Sequence, residues 1–176
     1  MASLVPQTPS LPSGKPPLPW SVNAVDAASH GSIAFCQIYY ETYDEPSRRV
    51  RDIPLLYLPQ ATIIWNGNRI SSDRDKLSQF LEAMPLSRHD PQTLDCHPVA
   101  ALDPTSGPAP DLIINITGSV LHGPSVAAAY DSRGPNVSPQ DMPRKYHEVF
   151  ILRAAEQEED MQPKYAIHSS TFRFVG

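Results

Sequence analysis

Apolar and small residues recur every three or four positions between residues 22 and 43. This spacing places them on one face of an α-helix. The residues on that face are Val22, Val25, Ser29, Ser32, Cys36, Tyr39 and Tyr43. Ser21 is a favourable N-cap because its hydroxyl can accept a hydrogen bond from a free amide of the first turn. Since Pro46 cannot continue a helix, the pattern predicts one long helix that begins after Ser21 and ends before Pro46.

Two shorter helices are predicted further along the chain. The apolar positions of the second are Ile53, Leu56 and Tyr57, and those of the third are Leu77, Phe80, Leu81 and Met84. Pro54 is compatible with the second helix only in its first turn. Ser72 and Asp75 have the spacing of a capping box, so the third helix is expected to begin at Ser72 and to end before Pro85.

Between these two helices the pattern changes to that of a β-hairpin. Residues 61–65 are β-branched and aromatic, and residues 68–71 follow after Asn66-Gly67. Both turn residues tolerate positive φ, which a two-residue hairpin turn requires. The segment is therefore predicted to be a hairpin with Asn66 and Gly67 at its tip.

Four further strands are predicted over residues 92–100, 111–122, 146–155 and 164–175. The second of them alternates most clearly. Its apolar face carries Leu112, Ile114, Ile116, Gly118 and Val120, and its other face carries Asn115, Thr117 and Ser119 between Ile113 and Leu121. Three polar residues are typical of a solvated sheet face. The apolar residues at both ends of that face favour instead a surface that a partner covers.

The predicted elements follow in the order helix, helix, hairpin, helix and four strands. Helices collected on one face of a strongly bent antiparallel sheet form a cone. The predicted fold class is therefore α+β, with three helices packed on one face of the sheet.

The distribution of proline separates this domain from its surroundings. Six of the 20 prolines fall among residues 6–19, where few large apolar side chains occur. Such a segment buries too little surface to offset the entropy of ordering it, so residues 1–19 are predicted to be a disordered tail and residues 20–176 one domain. Residues 123–145 contain four prolines and little pattern. They are predicted to form a long surface loop, either a contact loop or a tolerated insertion.

Charge and composition narrow the classes of ligand. The formal net charge is −5, and the basic residues are dispersed apart from Arg48, Arg49 and Arg51. Phosphate binding needs a basic patch, so a partner must supply most of the contact with any RNA cargo. Cys36 and Cys96 have no neighbour at metal-ligand spacing, and no phosphate-binding glycine loop occurs. Neither a metal nor another cofactor is expected, and no stretch is long enough to insert into a membrane.

Several segments resemble the nuclear transport factor 2-related export proteins in the same order along the chain. These segments are Ala61-Thr-Ile-Ile-Trp-Asn-Gly-Asn68, Leu77-Ser-Gln-Phe-Leu-Glu-Ala-Met-Pro85, Asp95-Cys-His-Pro-Val99, Gly118-Ser-Val120, Phe150-Ile-Leu152 and Phe172-Arg-Phe174, with Arg48-Arg49 and Leu56-Tyr57 upstream. The resemblance extends over residues 20–176 and implies the nuclear transport factor 2-like cone.

The resemblance also implies a function. Members of this family are the non-enzymatic small subunit of the heterodimeric messenger RNA nuclear export receptor. Such a subunit pairs through its sheet with the similarly folded domain of a large subunit, which carries the RNA-binding parts. The pair binds phenylalanine-glycine repeats of nucleoporins. A protein of this kind is expected in the nucleus and at the nuclear pore, from which it shuttles to the cytoplasm.

Candidate interface residues follow from the same resemblance. Arg173 matches an arginine of the family's closing strand that pairs with an acidic residue of the large subunit. The alternative is an exposed arginine whose stem only covers apolar surface. The expected interface consists of Arg173, Phe172, Phe174, Ile113, Asn115, Thr117, Ser119 and Leu121. The long loop is similar to that of fungal members, and its candidate contact residues are Arg133, Asn136, Arg144 and Lys145.

An enzyme of the same fold is the alternative function, because isomerases and dehydratases on this cone use an Asp or His in the cavity. Asp95 and His97 lie two apart on one predicted strand and could form such a pair, although a structural role is favoured there. The other candidates are His89, His168, Tyr39 and Tyr40. A homodimeric carrier of the small nuclear GTPase is disfavoured, because Ser170 stands where the transport factor has Asp.

Overall fold

The computed structural model describes residues 20–99, 109–123, 126, 142–154 and 165–175. The predicted tail and most of the predicted loop lie outside these residues. The elements are α1 (Val22–Asp44), α2 (Pro46–Asp52), β1 (Tyr57–Trp65), β2 (Asn68–Ile70), α3 (Arg74–Glu82), β3 (Ser87–Val99), β4 (Asp111–His122), β5 (Arg144–Ala154) and β6 (Tyr165–Phe174). The predicted order of elements is confirmed. No helix within the described ranges is both long and apolar enough to cross a membrane.

The six strands form one sheet in the order β2-β1-β6-β5-β4-β3. The last four strands make the antiparallel meander that the sequence predicts. β1 pairs antiparallel with β2 but parallel with β6. The expectation of a purely antiparallel sheet was therefore wrong. Parallel neighbours need a long crossover, and the whole chain between β1 and β6 serves as that crossover.

α1 packs against the concave side of the sheet. Its N-cap is Ser21, whose hydroxyl accepts a hydrogen bond of 3.2 Å from the Ala24 amide. The buried residues of α1 are Ala28, Ser32, Cys36, Tyr39, Tyr40, Thr42 and Tyr43. Val22 and Val25 are 75% and 39% exposed, so the predicted apolar face is correct only from Ala28 onward.

The second helix differs from its prediction. α2 begins at Pro46, where a missing amide hydrogen breaks no helical hydrogen bond. Residues 53–56 form a single 3₁₀ turn, and Tyr57 already belongs to β1. The apolar spacing of Ile53, Leu56 and Tyr57 comes from a turn that anchors the start of the sheet rather than from a helix.

The hairpin and the third helix agree with the sequence except at the helix cap. Asn66 and Gly67 have φ values of 48° and 86°, as the predicted turn requires. The N-cap of α3 is Asp73, whose carboxylate accepts a hydrogen bond of 3.1 Å from the Lys76 amide. The predicted cap, Ser72, donates instead to the Pro59 carbonyl. Neighbouring cap candidates are not distinguished by sequence spacing alone.

β3 begins five residues before its predicted start and bends beside Pro91, where its register with β4 shifts. The opposite residue is Gly118. A Cβ atom at this glycine would collide with the Asp90 carbonyl oxygen and press on the Tyr146 ring. The lack of a side chain at Gly118 therefore allows the two strands to approach closely at the bend.

The core lies between the helices and the inner face of the sheet. The even-numbered residues from Leu112 to Val120 on β4 and from Tyr146 to Ala154 on β5 are buried, as the predicted alternation requires. They include Leu112, Ile114, Ile116, Val120, Tyr146, Phe150 and Leu152, none more than 1% exposed. The odd-numbered residues of these strands consequently lie on the other face of the sheet.

Candidate partner interface on the open sheet face

The outer face of the meander carries the odd-numbered residues of β4, β5 and β6. We call it the open face and define it by Ile113, Asn115, Thr117, Ser119 and Leu121 of β4, Lys145, His147, Val149 and Ile151 of β5, and Thr171 and Arg173 of β6. The buried residues of the helices belong to the core cluster on the opposite face. The open face is apolar at its ends and polar or basic at its centre.

Arg173 ends a row of side chains that crosses the open face. Thr117 pairs with His147, and His147 pairs with Arg173. On the edge strand the row continues to Thr93, whose hydroxyl is hydrogen-bonded to that of Thr117. Arg173 is exposed and makes no salt bridge with any other described residue. Its guanidinium is therefore available for an acidic group outside the described part of the chain.

The opposite face encloses a small cavity inside the cone, with a mainly apolar lining that also includes polar side chains. It has a volume of about 30 Å³ and is lined by Tyr39, Tyr57, His89, Glu148 and Ser170 among others. The Tyr57 and Ser170 hydroxyls are hydrogen-bonded at 3.0 Å. Burial raises the pKa of Tyr57 to about 12, so this phenol stays neutral at physiological pH.

Glu148 contributes a carboxyl group to the lining of this cavity, and it is 4% exposed. The Tyr40 hydroxyl donates a hydrogen bond of 2.7 Å to its Oε2 atom. Burial raises the pKa of Glu148 to about 8, although the tyrosine hydrogen bonds oppose the shift. Glu148 was not among the site residues predicted from the sequence. Its burial could have been predicted from the sequence, because Glu148 lies at every second position with Tyr146, Phe150 and Leu152, and alternate residues of β5 face the core.

Sequence comparison places the chain among known proteins. The NTF2-related export protein of Caenorhabditis elegans is 32% identical over 143 residues, which cover 80% of this chain and 83% of the worm protein. This chain belongs to the NTF2-related export protein family. Human NTF2-related export protein 2 is 44% identical over 75 residues, or 43% of this chain. That match spans 50% of the human protein. No family model matches the chain.

Structural comparison agrees with the nuclear transport factor 2-like fold of this family. A chain of the solved complex of the Chaetomium thermophilum Mex67 NTF2-like domain with Mtr2 superposes with a TM-score of 0.59. It is 19% identical, and the superposition covers 85% of this chain and 99% of that one. The fold is not confined to transport proteins. A Novosphingobium aromaticivorans protein assigned as a scytalone dehydratase has a TM-score of 0.57 at 9% identity, covering 88% and 89% of the two chains.

Two of the expected interface residues of this NTF2-related export protein lie on the inner face. Phe172 is 6% exposed and stacks on Trp65, with ring centroids 5.8 Å apart and ring planes 5° apart. Phe174 packs against Trp65 and Phe172. The expectation that both phenylalanines contact a partner beside Arg173 was wrong, because adjacent residues of a strand point to opposite faces. Their role is to fix β6, and with it Arg173.

The four candidate residues of the long loop separate into two groups. Arg133 and Asn136 lie outside the described residues. Arg144 and Lys145 belong to β5, so their assignment to the loop was wrong. The Lys145 ammonium is on the open face, where it donates to Gln92 Oε1 at 2.9 Å. Arg144 lies on the other face, with its guanidinium carbon 3.6 Å from the centre of the Phe174 ring.

The candidate catalytic pair does form, but outside the cavity. His97 Nε2 and Asp95 Oδ2 are 2.9 Å apart, and the two side chains are 62% and 66% exposed. Both lie on the outer face of the edge strand β3, next to Asn115 and Ile113 in register. The alternative of a cavity base at this pair, which was disfavoured from the sequence, therefore does not hold. The lining of the cavity includes His89, His122 and Glu148 instead. The described residues contain no cluster of three or more His, Cys, Asp or Glu that could hold a metal ion.

Proposed function

We propose that this chain is the small subunit of a heterodimeric messenger RNA export receptor and pairs through its open face with the similarly folded domain of a large subunit. The observation that carries the proposal is Arg173, which lies on a sheet face with apolar ends and makes no salt bridge with another described residue. The proposal is supported by the solved complex in which a Mex67 NTF2-like domain binds Mtr2, because a chain of that complex has the fold of this one. Membership of the NTF2-related export protein family supports the same function.

The composition of the open face supports a stable pair. Stable heterodimers of this kind bury on the order of 2,000 Å² or more, and a polar centre is normal for such surfaces. Ile113, Leu121, Val149 and Ile151 supply apolar area at the ends of the face. Burial of Arg173 then requires an acidic group on the partner, and removing one member of such a buried pair costs about 2–5 kcal/mol in binding free energy.

The same arrangement leaves RNA binding mainly to the large subunit. Lys145, His147 and Arg173 are basic groups of the open face, and pairing would cover them. The rest of the chain brings the formal net charge to −5, which does not favour phosphate binding. The heterodimer would then carry RNA through nuclear pores by binding phenylalanine-glycine repeats, and would be found in the nucleus, at the pore and in the cytoplasm.

A non-enzymatic role is proposed because of the size of the interior cavity. Its volume of about 30 Å³ is room for roughly two water molecules. Pockets for small-molecule substrates have volumes of about 300–1,000 Å³. An isomerase or dehydratase activity would need this cavity to enlarge around Glu148, which the packing of three tyrosines with Phe35 and Phe150 opposes.

Co-expression with the NTF2-like domain of a Mex67-type large subunit tests the proposal. Light scattering after size exclusion should show a one-to-one complex for the wild type. Arg173→Glu should weaken binding at least about 30-fold, the lower end of the range above. Arg74→Glu is the matched control, since Arg74 is exposed at the start of α3, and it should bind like the wild type.

Two other outcomes separate the parts of the proposal. A complex that tolerates Arg173→Glu would retain the pairing but remove Arg173 from its centre. A stable homodimer that ignores the large subunit would overturn the proposed function.

A further inference from the structure

A groove runs between α1 and the edge strand β3, on the side of the molecule away from the open face. Its volume is about 460 Å³. On one side it is lined by Ile33, Gln37, Tyr40 and Glu41 of α1, and on the other by the consecutive residues 91–94 of β3. We call it the α1–β3 groove. Because four consecutive strand residues line it, β3 presents its backbone edge to the groove as well as side chains.

The backbone edge of β3 can accept another strand. β3 is the last strand in the sheet and pairs on one side with β4. No described residue pairs with its other side. Such an edge carries unpaired amide and carbonyl groups, which an extended peptide can bind by strand addition. Pro91 and Pro98 bound the segment of β3 that retains all of its amide hydrogens, residues 92–97.

The helix side of the groove is apolar and exposed. Ile33 is 57% exposed although it lines the groove. Val22 lies eleven residues before Ile33, and Tyr40 lies seven residues after it. These spacings are about three and two helical turns, so the three side chains lie along one line of α1. Val22 is 75% exposed. An apolar side chain of a bound peptide would therefore cover Ile33 and lie beside the Tyr40 ring.

The charged groups of the groove are acidic. Glu41 and Asp44 line it, and no lysine or arginine does. Burial opposes ionisation of Asp44, but hydrogen bonds from the His89 ring, the His89 amide and the Ser87 hydroxyl outweigh it and lower the pKa. Asp44 is therefore a carboxylate at neutral pH. The open face has the opposite charge, so one partner surface would not suit both.

We propose that the α1–β3 groove binds an extended segment of a partner protein that alternates basic and apolar side chains and pairs with the free edge of β3. The basic side chains would lie against Glu41 and Asp44, and an apolar side chain would cover Ile33. This interaction surface lies on the α1 side of β3. It meets the open face at Gln92 and Thr93, which are hydrogen-bonded to Lys145 and Thr117. Peptide binding in the groove does not depend on the large-subunit proposal.

A synthetic peptide serves as the probe. Fluorescein-labelled acetyl-Lys-Val-Lys-Val-Lys-Val-Lys-amide is titrated with the full chain and followed by fluorescence anisotropy. Saturable binding is expected, and Ile33→Asp should weaken it at least tenfold. Since this variant adds a negative charge, attraction by net charge alone would strengthen binding instead. Ile38→Asp is the matched control, because Ile38 is 55% exposed on the same helix but does not line the groove.

Two altered peptides test the chemistry of recognition. A peptide with Glu in place of Lys should not bind, because the groove is acidic. A peptide that is N-methylated at alternate residues keeps its side chains but loses the amide hydrogens along one edge, and it should bind at least tenfold more weakly if strand addition occurs.

Three results would overturn the proposal. The first is binding that Ile33→Asp leaves unchanged or that Ile38→Asp weakens equally. The second is equal affinity for the N-methylated peptide. The third is a concentration-dependent dimer of the unliganded chain that Ile33→Asp dissociates in light scattering, because a second copy would then be the occupant of the groove.

Discussion

Tyr40 on α1 and Glu148 on β5 are joined by a hydrogen bond of 2.7 Å across the buried core. Both residues are at most 5% exposed. Burial raises the pKa of Glu148 to about 8, so its protonated form predominates below that pH. Below that pH, Glu148 is therefore a neutral residue of the core, surrounded by tyrosines.

The contribution of Glu148 to stability should therefore decrease as the pH rises from about 4.5 to about 8. In this range the unfolded chain has released the Glu148 proton, whereas the folded protein retains it. The folded state binds more protons at this group, so its contribution to the free energy of unfolding falls with increasing pH. Between about pH 4 and 6.5 His122 opposes this decrease, because burial lowers the pKa of that imidazole to about 4. Urea denaturation at intervals from about pH 4.5 to about 8 measures the slope.

Glu148→Gln should remove this contribution to the pH dependence. The amide keeps the size of the side chain and an acceptor for the Tyr40 hydroxyl, but it does not ionise. Above pH 8 the variant should exceed the wild type in stability by about 1–3 kcal/mol, because the wild type then holds a buried charge. An unchanged pH profile in Glu148→Gln would show that this carboxyl group does not titrate as described.

Tyr40→Phe should keep the Glu148 carboxyl group but raise its pKa. The substitution removes the hydroxyl that donates to Oε2, and this hydrogen bond lowers the pKa. The pKa of Glu148 should rise further, and stability should fall by about 1–3 kcal/mol, since a buried acceptor loses its donor. Carboxyl infrared absorption of the folded protein gives the pKa directly. Ile38→Val, at an exposed position of the same helix, should change neither quantity.

Gly118→Ala should destabilise the meander at its bend. An added Cβ would collide with the Asp90 carbonyl oxygen, a backbone atom that cannot move without shifting β3. Overpacking of this kind costs about 1–3 kcal/mol or more in unfolding free energy. Gly31→Ala is the control, because its Cβ would meet only the Tyr165 ring at 3.7 Å, and alanine is favoured over glycine in a helix by up to about 1 kcal/mol. Thermal denaturation of the two variants should show shifts of opposite sign.

Local backbone chemistry explains which parts of the fold could be predicted from the sequence. Asn66-Gly67 specifies its turn because few other residues tolerate its φ values, and the alternation in β4 places Ile113 and Asn115 on the outer face. The parallel pairing of β1 with β6 was not predictable in this way, because it joins segments that are about 100 residues apart and leaves no local pattern.

The candidate site, like the fold, could be predicted from the sequence only in part. Alternation alone predicts that Thr117 and Ile113 share a face, and it also separates Arg173 from Phe172. Treating Phe172-Arg173-Phe174 as one motif obscured that separation. Glu148 was missed because a glutamate is ordinarily expected at the surface, and only the burial of its neighbours on β5 indicates otherwise.

Of the adjacent arginines Arg48 and Arg49, which contributed to the family resemblance, Arg49 should matter more for stability than Arg48. Arg49 is 2% exposed and donates hydrogen bonds to the Met84 and Pro85 carbonyl oxygens, which follow α3. Arg49→Met would leave these acceptors without a donor in the core and should lower the unfolding free energy by about 2–4 kcal/mol. Arg48→Met should change it by about 1 kcal/mol or less, since Arg48 is exposed and donates a hydrogen bond to the Thr42 hydroxyl. Urea denaturation of both variants makes the comparison. Equal losses would mean that the loss of positive charge, rather than the anchoring of the segment after α3, determines the effect.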